Sequence, residues 1–261
     1  MRRDADVVSP IVTRYGPGPR PRGIAHRGFH PNGEENTMKA FLAAVELGAD
    51  VIETDVHATS DGVAVTFHDP TALRVAGEER RIEEMTFAQA QRLAVGGSEP
   101  VPALEELLDA VEVPVNIDVK SPASVAPTVN AILRTRAVSR VCVTSFDSTL
   151  GAIAAAQLTA STGIRPRRSP AAGPIALFRL LTGLELPGAR RVLEPFAALQ
   201  IPERHRGLRL VTPRTVAAAH RAGCEVHVWT VDDPDDMRRL LGYGVDGIIT
   251  NRIDLWNGVR S

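Results

Sequence analysis

Eight short apolar runs separated by stretches of helical patterning predict an α/β protein folded as a TIM (β/α)8 barrel. The length of 261 residues suits one such barrel. Acids and bases gather at the ends of the first three runs, where barrels of this kind carry their sites.

The expected barrel strands are Gly23–Ala25, Val51–His57, Val115–Val119, Arg140–Thr144, Gly163–Arg165, Ala198–Ile201, Glu225–Thr230 and Gly247–Thr250. The fifth and sixth rest on the thinnest patterning. A helix is expected to start at Asn36-Thr37, with Phe41, Leu42, Val45 and Leu47 forming its apolar stripe and Gly48 ending it. Leu104, Leu107, Leu108 and Val111 stripe a second. Val216, Ala217 and His220 lie on a third that stops at Gly223. Asp235–Leu241 forms a fourth, acidic at its start and basic at its end, as the helix dipole favours. Two stretches break the rhythm. A Ser60-Asp61-Gly62 turn leads into Val63–Phe67, a small hairpin inserted after the second strand. Residues 166–196 mix Pro, Arg and Gly around apolar Ile175–Leu181, which reads as a loop-helix excursion. Residues 1–21 read as an irregular arm and 22–261 as the domain.

With 30 basic against 31 acidic residues, the net charge of −1 gives no general attraction to nucleic acid or an anionic membrane. The clusters Arg165-Pro166-Arg167-Arg168 and Arg204-His205-Arg206 read as solvated loops. Cys142 and Cys224 sit in apolar runs and read as buried core residues. No apolar stretch is long enough to span a membrane, and the first residues hold no signal-peptide core. A cytoplasmic enzyme is expected, with a small molecule as its partner; oligomeric state is not encoded in any motif.

The first strand runs into Ala25-His26-Arg27-Gly28. Along Val51–His57, side chains alternate, so Glu53, Asp55 and His57 share the inward face while Ile52 and Val56 face the helices. Two acids ~7 Å apart inside a barrel need a cation to stay ionised, and a hard divalent ion is the economical one. Asn116-Ile117-Asp118-Val119-Lys120 repeats the theme, adding Asp118 and a positive charge at Lys120. A lone histidine is more often structural than catalytic. The pair His26 and His68, on loops over a carboxylate cluster, favours general acid/base work instead.

The series A-H-R-G, E-N-T, I-E-T-D-V-H, D-G-V-x-V-x-x-H-D, N-I-D-V-K, V-x-V-W-T-V-D and G-V-D-G-I-I-T resembles the glycerophosphodiester phosphodiesterase family from residue 23 to about 258. The resemblance implies hydrolysis of glycerophosphodiesters to glycerol 3-phosphate and an alcohol. It implies Glu53, Asp55 and Asp118 as ligands of a divalent metal ion, Mg2+ or Ca2+, and His26 and His68 as the acid/base pair. Arg27 and Lys120 would neutralise the phosphate, Glu35 would stand near the metal, and Trp229 would line the glycerol pocket. His57 is expected in a supporting or packing role, and His30, His205, His220 and His227 as structural or surface residues. Three positions depart from the family pattern. Asp118 stands where the family has Glu, Asp232 where it has Asn, and Asn251 where it has an acid. The last two are expected to lie outside the metal's ligand shell. An alternative within the same catalytic set is a lysophospholipase D-like enzyme acting on lysolipids, with Ile175–Leu181 supplying an apolar groove. A barrel that only binds its ligand would not need two proton carriers. A sugar isomerase-type metal barrel would want ligands on later strands.

Overall fold

The computed structural model describes Gly18 and residues 20–260. Apart from Gly18, Arg20 and Pro21, the expected N-terminal arm lies outside the described residues. The elements run β1 (Arg22–His26), α1 (Met38–Glu46), β2 (Val51–Ala58), β3 (Ala64–Thr66), α2 (Leu104–Ala110), β4 (Val115–Val119), α3 (Pro122–Arg134) and β5 (Val141–Thr144). They continue with α4 (Ser148–Thr162), β6 (Arg167–Arg168), α5 (Ala172–Gly183), α6 (Ala189–Leu193), β7 (Ala198–Pro202), a small hairpin β8 (Arg204–His205) and β9 (Leu208–Arg209), α7 (Pro213–Arg221), β10 (Glu225–Trp229), α8 (Pro234–Gly242) and β11 (Gly247–Thr250).

Eight of these strands form a nearly closed parallel barrel in the order β6-β5-β4-β2-β1-β11-β10-β7, with β3 added antiparallel to β2 as the expected hairpin. The strands alternate as the sequence pattern requires. Ile52, Val56, Ile117, Val143, Leu199, Val226 and Ile248 face outward into the large core shared with the helices. Ile24, Val51, Cys142, Ala198 and Ile249 form a smaller cluster of their own. Both cysteines are buried, as expected. Helix α1 starts where Thr37 Oγ1 accepts the Ala40 N–H at 3.2 Å, a cap worth about 1 kcal/mol.

The fifth barrel strand is not Gly163–Arg165. Gly163 is the left-handed cap that ends α4, with φ 71° and its N–H donating to Thr159 O. The strand is Arg167–Arg168, in register with Cys142 and Val143 of β5. Arg167 is therefore buried in the barrel wall and donates to Ser139 O at 2.7 Å, so only part of that arginine cluster is a solvated loop. The strand is too short to join β7 by a ladder. Ala197 N–H to Arg168 O at 2.9 Å and Gln200 N–H to Ser169 Oγ at 3.3 Å tie that side together. Ile175–Leu181 lies within α5, against α6 and α7. Among the described residues no helix is long and apolar enough to cross a membrane.

Candidate active site

At the exit of β1 the chain turns sharply over β2. Arg27 adopts φ 58° and Gly28 φ 80°. A Cβ on Gly28 would sit 2.6 Å from the backbone carbon of Ala40 in α1, so the turn fits only with glycine there. The Arg27 N–H reaches both the backbone oxygen of Glu53 at 3.0 Å and its side-chain Oε2 at 3.2 Å. This geometry lays the Arg27 side chain across the barrel mouth, where its Nε lies 3.1 Å from Asp55 Oδ2.

The register of β2 and β4 pairs Glu53 with Asn116 and Asp55 with Asp118, so the two aspartates are direct neighbours on one face. Like charges held that close need neutralising. Lys120 reaches back to place Nζ 2.7 Å from Asp55 Oδ1 and 2.6 Å from Asp118 Oδ2. Asn36 completes the setting of Asp55, donating to Oδ2 at 3.1 Å while its own carbonyl accepts from Thr54 Oγ1 at 2.8 Å. Burial would raise the Asp55 carboxyl, but the charges of Lys120 and Arg27 win and hold it below the usual range. Glu53 has no such partner among the ion pairs to Arg or Lys in the described residues. Burial, and then the charges of Asp55 and Asp118, push its carboxyl well above the usual range. Asp118 is also raised, chiefly by burial, despite Lys120.

Both histidines face this cluster with one ring nitrogen already engaged. His26 Nδ1 lies 2.7 Å from Asn251 Oδ1, and its Nε2 lies 4.0 Å from Glu53 Oε2. Burial, followed by the Arg27 charge, lowers its pKa to about 4, against the opposing effects of Asn251 and Asp55. His68 Nδ1 lies 2.5 Å from Asp69 Oδ1. His57 Nε2 donates to His68 O at 3.1 Å, so His57 supports the His68 loop rather than joining the acid cluster.

Glu35 is gripped by two guanidiniums, Arg27 Nη1 at 2.9 Å and Arg74 at 2.7 and 2.8 Å. Arg74 also donates to Asp69 at 2.6 Å. Arg27, Glu35, Arg74, Asp69 and His68 therefore form one continuous chain of charged hydrogen bonds. Trp229, at the end of β10, meets Phe146 edge to face with centroids 6.0 Å apart, and Lys120 Nζ lies 5.6 Å from the Phe146 ring centre.

The structure thus brings Glu53, Asp55, Asp118, Arg27, Lys120, His26 and His68 to one barrel mouth, with Glu35 one hydrogen bond behind. Reasoning from the sequence missed Asn36 as a ligand of Asp55, Asp69 and Arg74 behind His68, and Phe146 beside Trp229. Asn251, expected only to lie outside the metal shell, bonds His26, a contact the sequence did not announce. The E-N-T and H-D motifs held the first two in plain view; Arg74 and Phe146 carried no motif.

A hard divalent cation suits the donor chemistry. Asp118 Oδ1 is buried with no hydrogen-bond partner, and Glu53 is a buried carboxyl beside two other acids without a cation of its own. Among the described residues, however, no three acid, histidine or cysteine side chains converge into a ready-made cage. Lys120 stands between Asp55 and Asp118.

Cations and imidazoles gathered at the mouth of a (β/α)8 barrel suit phosphoester chemistry, and similarity to known proteins places the chain in the class of phosphodiester hydrolases. Residues 26–255 match the model of the glycerophosphoryl diester phosphodiesterase family, and the chain belongs to that family. It is 39% identical over 242 residues to the protein named Probable glycerophosphodiester phosphodiesterase 2 of Mycobacterium tuberculosis, covering 90% of this chain and 89% of that one. It is 31% identical over 254 residues to a glycerophosphodiester phosphodiesterase of Caldanaerobacter subterraneus, covering 87% and 93%. A phosphodiesterase of Oleispira antarctica, solved in complex with the product sn-glycerol-3-phosphate, superposes with a TM-score of 0.73 at 22% identity, covering 92% of this chain and 97% of that one. At that identity the likeness is one of fold.

Proposed function

We propose that the chain hydrolyses glycerophosphodiesters to sn-glycerol 3-phosphate and an alcohol, with His26 and His68 carrying the protons. One observation carries this reading. Each imidazole engages Nδ1 with a partner, Asn251 or Asp69, while standing beside the same acid cluster, His26 with Nε2 4.0 Å from Glu53 and His68 within reach of Asp55 and Asp118. The family match and the relatives at 39% and 31% identity, both named glycerophosphodiester phosphodiesterase, support the substrate class.

The anionic phosphodiester is drawn to Arg27 and Lys120, whose positive charge then faces the oxygens on which negative charge builds. The Trp229–Phe146 wall takes the carbon edge of the glycerol. One imidazole Nε2 removes the proton from the attacking hydroxyl, either of water or of the substrate's own glycerol; in the second case the alcohol leaves as a cyclic phosphate forms, which water then opens to glycerol 3-phosphate. The other gives its proton to the alkoxide that leaves as the P–O bond breaks. Glu53, Asp55 and Asp118 would hold a divalent ion, Mg2+ or Ca2+, which supplies Lewis-acid stabilisation of the phosphoryl oxygens. Asn36 and Lys120 hold Asp55 for that task, and Arg74 and Asp69 orient the His68 ring.

Acid/base catalysis contributes about 10²–10⁴ in rate, or ~3–5 kcal/mol. Enzymes lower barriers by ~8–23 kcal/mol, so charge stabilisation carries the larger share here. Turnover of glycerophosphocholine and of a lysophospholipid, before and after chelation and with Mg2+ or Ca2+ restored, tests the reading. His26→Ala should lose about 10²–10⁴ in kcat, and Asp55→Asn should lose activity and divalent-ion binding together. Full activity in either variant refutes the assignment, and preference for the lysolipid replaces it with the lysophospholipase D reading.

A further inference from the structure

The hydrogen-bond network behind His26 leaves little freedom. Asp232 Oδ1 accepts from the backbone N–H of Asn251 at 2.8 Å and from Thr250 Oγ1 at 3.0 Å. Its other oxygen, Oδ2, lies 2.8 Å from Asn251 Nδ2. An ionised carboxylate only accepts, so the Asn251 amide must turn its NH2 toward Asp232. Its carbonyl oxygen is then left facing His26 Nδ1 at 2.7 Å. A carbonyl oxygen also only accepts, so the hydrogen of a neutral His26 ring must sit on Nδ1. On the other side of the residue, His30 Nε2 donates to the His26 backbone oxygen at 3.2 Å and leaves the ring alone.

We infer that Asn251, locked in orientation by Asp232, is a positioning residue that fixes the His26 tautomer and leaves Nε2 as the atom that exchanges the proton. This rests on the acid/base reading of His26 above. The two residues act as one device, because the carboxylate orients the amide and the amide orients the imidazole. Their order can be reversed without loss of logic. A carboxylate at 251 would also accept from Nδ1, provided that residue 232 became an amide able to donate to it. A carboxylate at both places would set two like charges within hydrogen-bond distance.

The test uses four variants of the full chain. Asn251→Ala should lower kcat about 10–100-fold, the size of one active-site hydrogen bond, with KM changed less than about threefold. Asp232→Asn should do the same by freeing the amide to flip. Asn251→Asp alone should also fail, and the exchange Asp232→Asn with Asn251→Asp should recover most of the loss. Ring-nitrogen NMR of the labelled histidines should place the hydrogen of wild-type His26 on Nδ1, and Asn251→Ala should shift the population toward Nε2. A wild-type hydrogen on Nε2 would overturn the inference. So would wild-type kcat in Asn251→Ala, or an exchange variant no better than the singles. An active His26→Ala enzyme would instead sink the acid/base reading, while the NMR result would still report on the clamp.

Discussion

Replacing Lys120 with methionine keeps the aliphatic stem and removes one charge from between two acids. In the native protein Nζ lies 2.7 Å from Asp55 and 2.6 Å from Asp118. The side chain is only 15% exposed, so solvent cannot take over its task. Taking one partner from a buried ion pair costs about 3–5 kcal/mol, because the remaining charge is left uncompensated. Here the cost falls unevenly. Asp55 keeps Arg27 and Asn36, whereas Asp118 loses its hydrogen bond to Lys120 and its Oδ1 already has none. The lower end, about 3 kcal/mol, is therefore expected, or a fall in Tm of roughly 6–12 °C for a domain of this size. Adding Asp118→Asn removes the stranded charge and should return about half of that loss. Urea unfolding of the wild type, both single variants and the double variant measures the coupling directly. Turnover of glycerophosphocholine should fall about 10²–10³-fold in Lys120→Met, since a cation facing the phosphoryl oxygens is gone. Unchanged stability in Lys120→Met, or a double variant weaker than Lys120→Met alone, would refute this account of the cluster.

Two further outcomes follow from elsewhere in the barrel. Gly28→Ala must place a methyl 2.6 Å from the Ala40 backbone at φ 80°, so it should destabilise by roughly 2–4 kcal/mol in urea and lower kcat by displacing Arg27. Burial would raise the Glu225 carboxyl, but hydrogen bonds and charge from His227 and Arg22 outweigh it and hold it at about 2, against an ordinary 4.5. Folding favours its ionised form, so that stabilisation is whole above about 4.5 and disappears as pH falls through about 2. Glu225→Gln should thus cost roughly 3 kcal/mol at neutral pH, with the gap to wild type closing in acid denaturation over that window.

Much of the fold was legible because β2 and β4 alternate cleanly. Val51–His57 sorts Glu53 and Asp55 from Ile52 and Val56 without any structure, and register then carries Asp118 to Asp55. The fifth strand was not legible. Its residues are two arginines, which carry no apolar signal, and Gly163 just before them is a helix stop that resembles a strand boundary. The catalytic candidates were readable because each sits within a dense local motif. Their supports were not, because they come from distant positions. Arg74 reaches Glu35 across 39 residues, from beyond the inserted hairpin, and Asn251 reaches His26 across 225, where the last strand closes the barrel onto the first. His227 had no motif support and is buried with Glu225 in the barrel interior, a polar contact that strand periodicity alone does not announce.

The ring of strands is stitched everywhere by ladders except between β6 and β7, and that weak join sits opposite β1 and β2 in the strand order. A hoop with one thin weld flexes at the weld and stays true on the far side. The proton carriers and acids occupy that far side, where continuous parallel pairing holds His26 level with Glu53 and Asp55 level with Asp118. The barrel can therefore give at its weakest join without disturbing the spacing on which the chemistry depends.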